Sequence, residues 1–286
     1  MMLPEEISFI VSSDESQGAV NKSADGSYFE IQLDDGLKIP KDALNVNIKV
    51  EESTIWWTVP NIINGVNDTF SIYGDDDTLP VPVPQLYTVV IPQGLYDLSG
   101  LNQAVLSGLE ALGARTIDST GNALPLINFS ADDATQKVIL RLNYTNSYCD
   151  FSVGQTPRDI IGFNSQQYGP NVGAPINILA PNVAEFNQIN FFLVHSDLVN
   201  RGIRFNNKYN QTIAQVLIDV APGSQIVSAN FHPAKSNGQF LAGSVRTLIR
   251  FWLTDDKQRS VNTNGENWSA RIVIEYMMPY VIGKQP

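Results

Sequence analysis

Leu44-Asn45-Val46-Asn47-Ile48-Lys49-Val50 puts an apolar side chain at every second position. An extended chain points successive side chains to opposite faces, so a period of two predicts a strand buried on one face and wet on the other. The same pattern recurs outward from this stretch. Upstream, Ile7, Phe9 and Val11 alternate with Ser8 and Ile10, and Phe29, Ile31 and Leu33 alternate with Glu30 and Gln32. Downstream come 54–59, with the Trp56-Trp57 pair, and then 189–195, 213–220, 226–231, 245–253 and 270–276. In the last run Ile272, Ile274 and Tyr276 are expected on one face, and Arg271, Val273 and Glu275 on the other. Turn formers punctuate these runs: Asp34-Asp35-Gly36, Ala221-Pro222-Gly223, Ser236-Asn237-Gly238 and Asn262 to Gly265. Eight strands are predicted, near 6–11, 28–33, 44–58, 187–195, 212–220, 225–232, 245–254 and 269–277. Many strands with Gly, Pro and Asn turns and few helices predict a mainly β fold. Eight antiparallel strands in two Greek keys make a single jelly roll.

The middle of the chain breaks this rhythm. Leu79-Pro80-Val81-Pro82-Val83-Pro84 predicts an extended, polyproline-like lead-in. Tyr87, Val89 and Ile91 then mark a short strand closed by Pro92-Gln93-Gly94. A helix follows, with Asp97 as its cap, a stripe of Leu98, Leu101, Val105, Leu106, Leu109 and Leu112, and Gly113 at its end. Strands are expected over 126–130 and 137–143, joined by Asp132-Asp133, and over 149–153. Thr156-Pro157-Arg158-Asp159 predicts a second helix start, with Thr156 as cap, ending at Ile161-Gly162-Phe163. The expected organisation is a discontinuous jelly roll over 1–60 and 184–286, carrying a large α/β insertion domain over 61–183.

Composition narrows the function classes. Of 286 residues only 16% are charged, and 18 Lys and Arg against 29 Asp and Glu leave a formal net charge of -11. That balance excludes a protein that reads nucleic acid through its phosphates, which needs clustered cations. No run approaches the 18 apolar residues of a membrane span, and Met-Met-Leu-Pro-Glu-Glu does not read as a secretory signal. Six Asn-Xaa-Ser/Thr triplets, at Asn21, Asn67, Asn128, Asn143, Asn210 and Asn267, are what an Asn-rich chain produces by chance. One cysteine, Cys149, excludes an intramolecular disulfide framework and a multi-Cys zinc site.

A nucleophile needs a base beside it. Of the two histidines, His195 ends the apolar run Phe191-Phe192-Leu193-Val194 and reads as a strand-end structural residue, and His232 precedes Pro233 and reads as a turn residue. Cys149, in Tyr148-Cys149-Asp150, reads as a small buried hydrophobe. No P-loop, dinucleotide fingerprint, Gly-Xaa-Ser-Xaa-Gly elbow or His-Glu-Xaa-Xaa-His is present. The pairs Asp34-Asp35, Asp132-Asp133 and Asp255-Asp256 sit where strand patterns break, as turn-forming Asp does. Asp75-Asp76-Asp77 is the densest group and the one weighed as a cation site, but it lacks the spaced ligands of a calcium loop. Trp56 and Trp57 are expected on opposite faces, one in the core and the other needing cover from a neighbour or, less simply, stacking on a sugar. The sequence therefore assigns no catalytic, cofactor-binding or metal-binding residue, no cofactor and no enzymatic activity.

Two segments carry a family resemblance. The first is Ile91-Pro92-Gln93-Gly94-Leu95-Tyr96-Asp97-Leu98-Ser99-Gly100-Leu101-Asn102, followed by Asp159-Ile160-Ile161-Gly162-Phe163. The second is Phe251-Trp252-Leu253-Thr254-Asp255-Asp256 with Asn264-Gly265-Glu266-Asn267-Trp268-Ser269, and then Ile272-Val273-Ile274-Glu275-Tyr276. Together they resemble the penton, or minor capsid, proteins of virophages and of Polinton-like or adintovirus-like DNA viruses. The resemblance implies a single jelly roll that forms homopentamers at the icosahedral vertices of a virion, beside a major capsid protein. It also implies an outward insertion open to a host receptor. Physically, the second segment is a hairpin whose Trp268 is expected to pack across on the preceding strand. A receptor- or carbohydrate-binding jelly-roll module, such as a virion spike or lectin, is the alternative. A glycan-active β sandwich is the third reading, and it lacks a catalytic constellation.

Overall fold

The computed structural model describes residues 2–74, 85–117, 120–144, 146–170, 175–229 and 232–279. The Asp75–Asp77 cluster and the 79–84 proline run lie outside the described residues. The chain is mainly β, built from several antiparallel sheets. Packing divides it into two compact units, Met1–Val59 with Ile189–Pro286, and Pro60–Gln188.

The first unit holds two large sheets. In one the order is Met2–Ser12, Ser269–Pro279, Leu44–Trp56 and Gln225–Ala229, with Ser236–Asn237 also pairing on Leu44–Trp56. In the other it is Thr212–Leu217, Phe191–Ser196, Val245–Thr254, Tyr28–Lys38 and Ala19–Val20. Each of the eight expected runs contributes a strand to these sheets. Leu44–Trp56 buries Val46, Ile48 and Val50, as its alternation dictates, and then changes phase to bury Ser53 and Ile55, with Trp57 buried just beyond its end. The change is a bulge: Arg271 pairs with Glu52 and Ile272 with Val50, so Glu51 has no register partner on the Ser269–Pro279 strand. A second irregularity lies near Asn45, whose φ of 54° is one that Asn tolerates better than most residues.

One expectation for this unit is corrected. Asp34-Asp35-Gly36 does not end its strand. The strand runs on to Lys38, and the three residues fall within a register shift between Leu37↔Arg246 and Gln32↔Leu248. Val273 falls on the Arg271 and Glu275 face, as expected, and is nonetheless fully buried. It lies opposite Lys49 and between Arg271 and Glu275 on its own strand. Lys49 Nζ sits 2.8 Å from Glu51 Oε1 and 2.7 Å from Glu275 Oε1, and Lys235 Nζ sits 2.6 Å from Glu275 Oε2. Ion pairs tie these long side chains together on the sheet face that carries Val273. The carboxylate contacts hold the Lys49 pKa up, led by the Glu275 bond, and Lys235 leads in holding Glu275 down.

The second unit carries a four-stranded sheet ordered Gln167–Tyr168, Tyr148–Asp150, Thr69–Gly74 and Gln85–Val90, and a three-stranded sheet ordered Ile176–Leu179, Lys137–Leu142 and Ile127–Asp132. The Leu98–Ala111 helix packs on the Gln85–Val90 and Ile127–Asp132 strands. Asp97 caps it: the Gly100 N–H donates to Asp97 Oδ1 at 2.7 Å. Leu101, Val105 and Leu109 are buried. Gly108 lies so close to Val89 that a Cβ there would collide with Val89 Cγ1. Leu112, expected on the buried stripe, is 49% exposed, because the helix has already ended and Leu112 is its C-cap. Thr156 does not cap the second helix. Arg158–Ile161 begins after Pro157 with no side-chain cap bond, and Thr156 Oγ1 instead accepts from Arg158 Nη1 at 3.4 Å. The strand expected over 149–153 is only Tyr148–Asp150, because Asp150 Oδ1 takes the Ser152 N–H at 2.8 Å and turns the chain. The core is aromatic: Phe151 stacks on Phe163 at 5.1 Å, and Phe163 meets Tyr168 edge-on at 4.8 Å.

Candidate functional site

Along Phe191–Ser196, Phe192 and Val194 share the buried face with Phe251 and Leu253 of the neighbouring strand. His195 falls on the opposite face. It pairs in register with Trp252, and their rings stack at 5.3 Å with a 5° interplanar angle. His195 Nε2 lies 2.8 Å from Thr254 Oγ1 and Nδ1 lies 3.2 Å from Thr212 Oγ1. A neutral imidazole offers one donor and one acceptor, and two hydroxyls satisfy both. Although it faces away from the core, the ring is only 4% exposed. The segment that links Phe191–Ser196 to Thr212–Leu217 holds the small Arg204–Phe205/Lys208–Tyr209 hairpin, with Asn206 at φ 51°, and supplies Asn200, Tyr209, Asn210 and Gln211 to the surroundings of His195. Between that segment and the sheet a cleft of about 390 Å³ opens, lined by Asn200, Tyr209, Asn210, Gln211, Trp252 and Gln258, with His195 and Thr254 beside them.

Thr254 beside His195 has the spacing of a nucleophile and its base. The rest of the constellation is missing, because the second nitrogen meets a hydroxyl rather than a carboxylate. Burial also pushes the His195 pKa down to about 4, which leaves a weak base at neutral pH. This shift has a stability consequence. The unfolded chain binds the His195 proton near pH 6.5 and the folded chain near 4, so the unfolded state holds more protons between those values. The stabilisation is complete above pH 6.5 and is lost as pH falls toward 4, by about 3 kcal/mol in all. Carboxylates held low by hydrogen bonds, such as Asp150 and Glu275, act below their ordinary values of 3.8 and 4.5. Their losses begin about one pH unit above those values, so the window from about 5.5 to 6.5 is the one in which His195 dominates. Urea unfolding midpoints should fall with acid across that window in the natural chain and stay flat in His195→Gln.

The remaining candidates disperse. Cys149 is fully buried between Ile72 and Tyr168 in the second unit, and burial pushes its thiol well above the ordinary value. A thiol so placed is inert. His232 is exposed. Trp57 is 4% exposed and Trp56 half-buried, so one ring enters the core and the other faces outward. Asp132 accepts the Ala134 N–H at 3.2 Å, and Asp255 accepts the Lys257 and Arg259 N–H groups at 2.9 and 2.8 Å. Both behave as turn-forming aspartates. Among the described residues no group of three or more His, Cys, Asp or Glu is placed to hold a metal. No described helix is long and apolar enough to cross a membrane. The amides over His195 carry no motif, and only the turn-forming Asn206-Asn207 marks their segment in the sequence.

Among solved structures the chain is similar to the mavirus penton protein, at 11% identity and a TM-score of 0.46, covering 96% of this chain and 100% of that one. It is also similar to a chain of the Sputnik virophage, at 12% identity and a TM-score of 0.40, covering 95% of this chain and 98% of that one. No protein-family model matches the chain, and no curated protein matches it.

Proposed function

We propose that the chain is a non-enzymatic structural subunit of a virion capsid, of the penton kind, five copies closing a ring at an icosahedral vertex. The observation that carries this reading is strand order. Numbered along the chain, the eight long strands of the first unit run 1-8-3-6 in one sheet and 5-4-7-2 in the other. That order supports a single jelly roll over 1–59 and 189–286. Residues 60–188 fall between the third and fourth strands, which supports their reading as an insertion domain. Both edges of the jelly roll expose apolar side chains: Ile10 on one edge strand, Leu217 and Val227 on the others. Different surfaces at opposite edges suit a head-to-tail contact, the kind that closes rings. The major capsid protein and, through 60–188, a host receptor are the further partners of this reading.

Charge decides how the ring is tested. Five copies at -11 each bring 5 × -11 = -55 together, so repulsion opposes closure. Salt screens that repulsion, and assembly should strengthen as ionic strength rises. Native mass and light scattering at high protein concentration and moderate salt are expected to show a pentamer. A persistent monomer, or a stable ring of another order, would overturn the penton assignment.

A further inference from the structure

We propose that the cleft over His195 and Trp252 binds an acidic saccharide, a sugar ring bearing a carboxylate. This goes beyond the capsid reading and does not depend on it.

The lining comes first. Asn200, Asn210, Gln211 and Gln258 bring four primary amides to one cleft of about 390 Å³, beside the rings of Trp252 and Tyr209. That volume lies in the lower part of the range for small-molecule sites, about 300–1,000 Å³. Gln211 Nε2 donates to the Val199 carbonyl at 3.1 Å, which leaves its oxygen as an acceptor. The side-chain amides of Asn200, Asn210 and Gln258 have no intramolecular partner among the described residues. An amide presents donors and an acceptor in one plane, the complement of neighbouring sugar hydroxyls. Aromatic rings offer surface to the apolar C–H groups of a sugar. No side chain in the lining carries a charge at neutral pH, so the recognition inside the cleft is by hydrogen bonds and ring surface.

The charge stands at the rim. The Arg201 and Arg204 guanidinium carbons lie 5.9 and 5.5 Å from the centre of the Tyr209 ring. Neither has a carboxylate partner among the described residues, in a chain with an excess of 11 acidic groups. Arg204 Nη2 donates to Asn207 Oδ1 at 2.7 Å, and the other donors of its fork remain. Guanidinium groups take carboxylates through paired, charge-assisted bonds. Two of them on the rim of a neutral, amide-lined cleft select an anionic sugar over a neutral one.

The test uses the full chain and three probes: N-acetylneuraminic acid, glucuronic acid and methyl galactoside as the neutral control. Binding is read by saturation-transfer NMR and calorimetry. At least one acidic sugar is expected to bind about tenfold more tightly than methyl galactoside. Arg204→Ala should remove that advantage, while Asn210→Ala should weaken the binding of acidic and neutral sugars alike. Lys235→Ala, on the other sheet, should change neither. Thermal unfolding of each variant confirms that the fold is kept. Equal binding of neutral and acidic sugars, no binding by about 10 mM, or equal capture of an acidic peptide would overturn the proposal. So would indifference to both Arg204→Ala and Asn210→Ala.

Discussion

Trp268→Ala is expected to cost the first unit about 3–5 kcal/mol, a large part of the about 5–15 kcal/mol that holds a typical domain. Trp268 is 2% exposed at the start of the last strand, and its ring meets Phe29 edge-on at 4.9 Å. Phe29 in turn stacks on Phe251 at 5.6 Å. Trp268 Nε1 donates to the Gly26 carbonyl at 3.2 Å, and its backbone N–H donates to Ser13 Oγ at 2.9 Å. Truncation would leave a cavity among Phe29 and its neighbours and strand a buried carbonyl. Trp268→Phe separates the two losses, since it keeps most of the ring volume and forfeits the indole N–H bond, worth about 1 kcal/mol. Urea unfolding followed by amide exchange is the check. Trp268→Ala should lower protection across 2–56 and 191–279, with Trp268→Phe well above it. Equal stability of Trp268→Ala and the natural chain would show that the pocket collapses around the smaller residue.

Gly162→Ala carries the second large effect, in the other unit. Gly162 closes the Arg158–Ile161 helix with φ at 79°, and its N–H donates to the Arg158 carbonyl. Its Cα faces the Asn182 backbone so closely that an added Cβ would collide with the Asn182 carbonyl oxygen, while the Asn182 N–H donates back to Gly162 O at 3.0 Å. Left-handed backbone alone costs an L residue about 1–2 kcal/mol. A backbone collision cannot be relieved by a side-chain rotation, so the total should reach about 3 kcal/mol, within the range for overpacking. Gly113→Ala is the internal control. Gly113 has the same kind of φ, 74°, but nothing within 4 Å of the added Cβ. It should lose only the conformational part. Amide exchange over 127–142 and 148–168 reads both variants. If Gly162→Ala proves no worse than Gly113→Ala, the Asn182 contact has no energetic weight. If Gly162→Ala lowers protection there and spares 191–279, that outcome supports 60–188 as a separable insertion.

Secondary structure follows from local chemistry and is legible in residue order alone. The period of two over Leu44 to Val50, the Asp97 cap with its apolar stripe, and the Asp132-Asp133 turn each depend on neighbours within a few residues, which the chain order already supplies. Local reasoning fails where a distant partner intervenes. Alternation places Val273 on the Arg271 and Glu275 face but does not show that it is buried; it lies opposite Lys49, on a strand more than 200 residues away in sequence, whose Nζ meets Glu51 and Glu275. Glu51 looks like an ordinary outward residue until Arg271 and Ile272 pair on either side of it. The cleft is invisible in the sequence for the same reason. His195 reads as a strand-end residue, and nothing in that reading names Thr254 and Thr212 as its hydrogen-bond partners. Tyr209, Trp252 and Gln258 carry no shared spacing, and only the pairing of Phe191–Ser196 with both Thr212–Leu217 and Val245–Thr254 brings them to one face. Residue order dictates which segments extend or coil, because those preferences act over one or two turns. Which segments then lie side by side is decided by burying the apolar faces together, and only that choice assembles the amides, rings and guanidinium groups around His195.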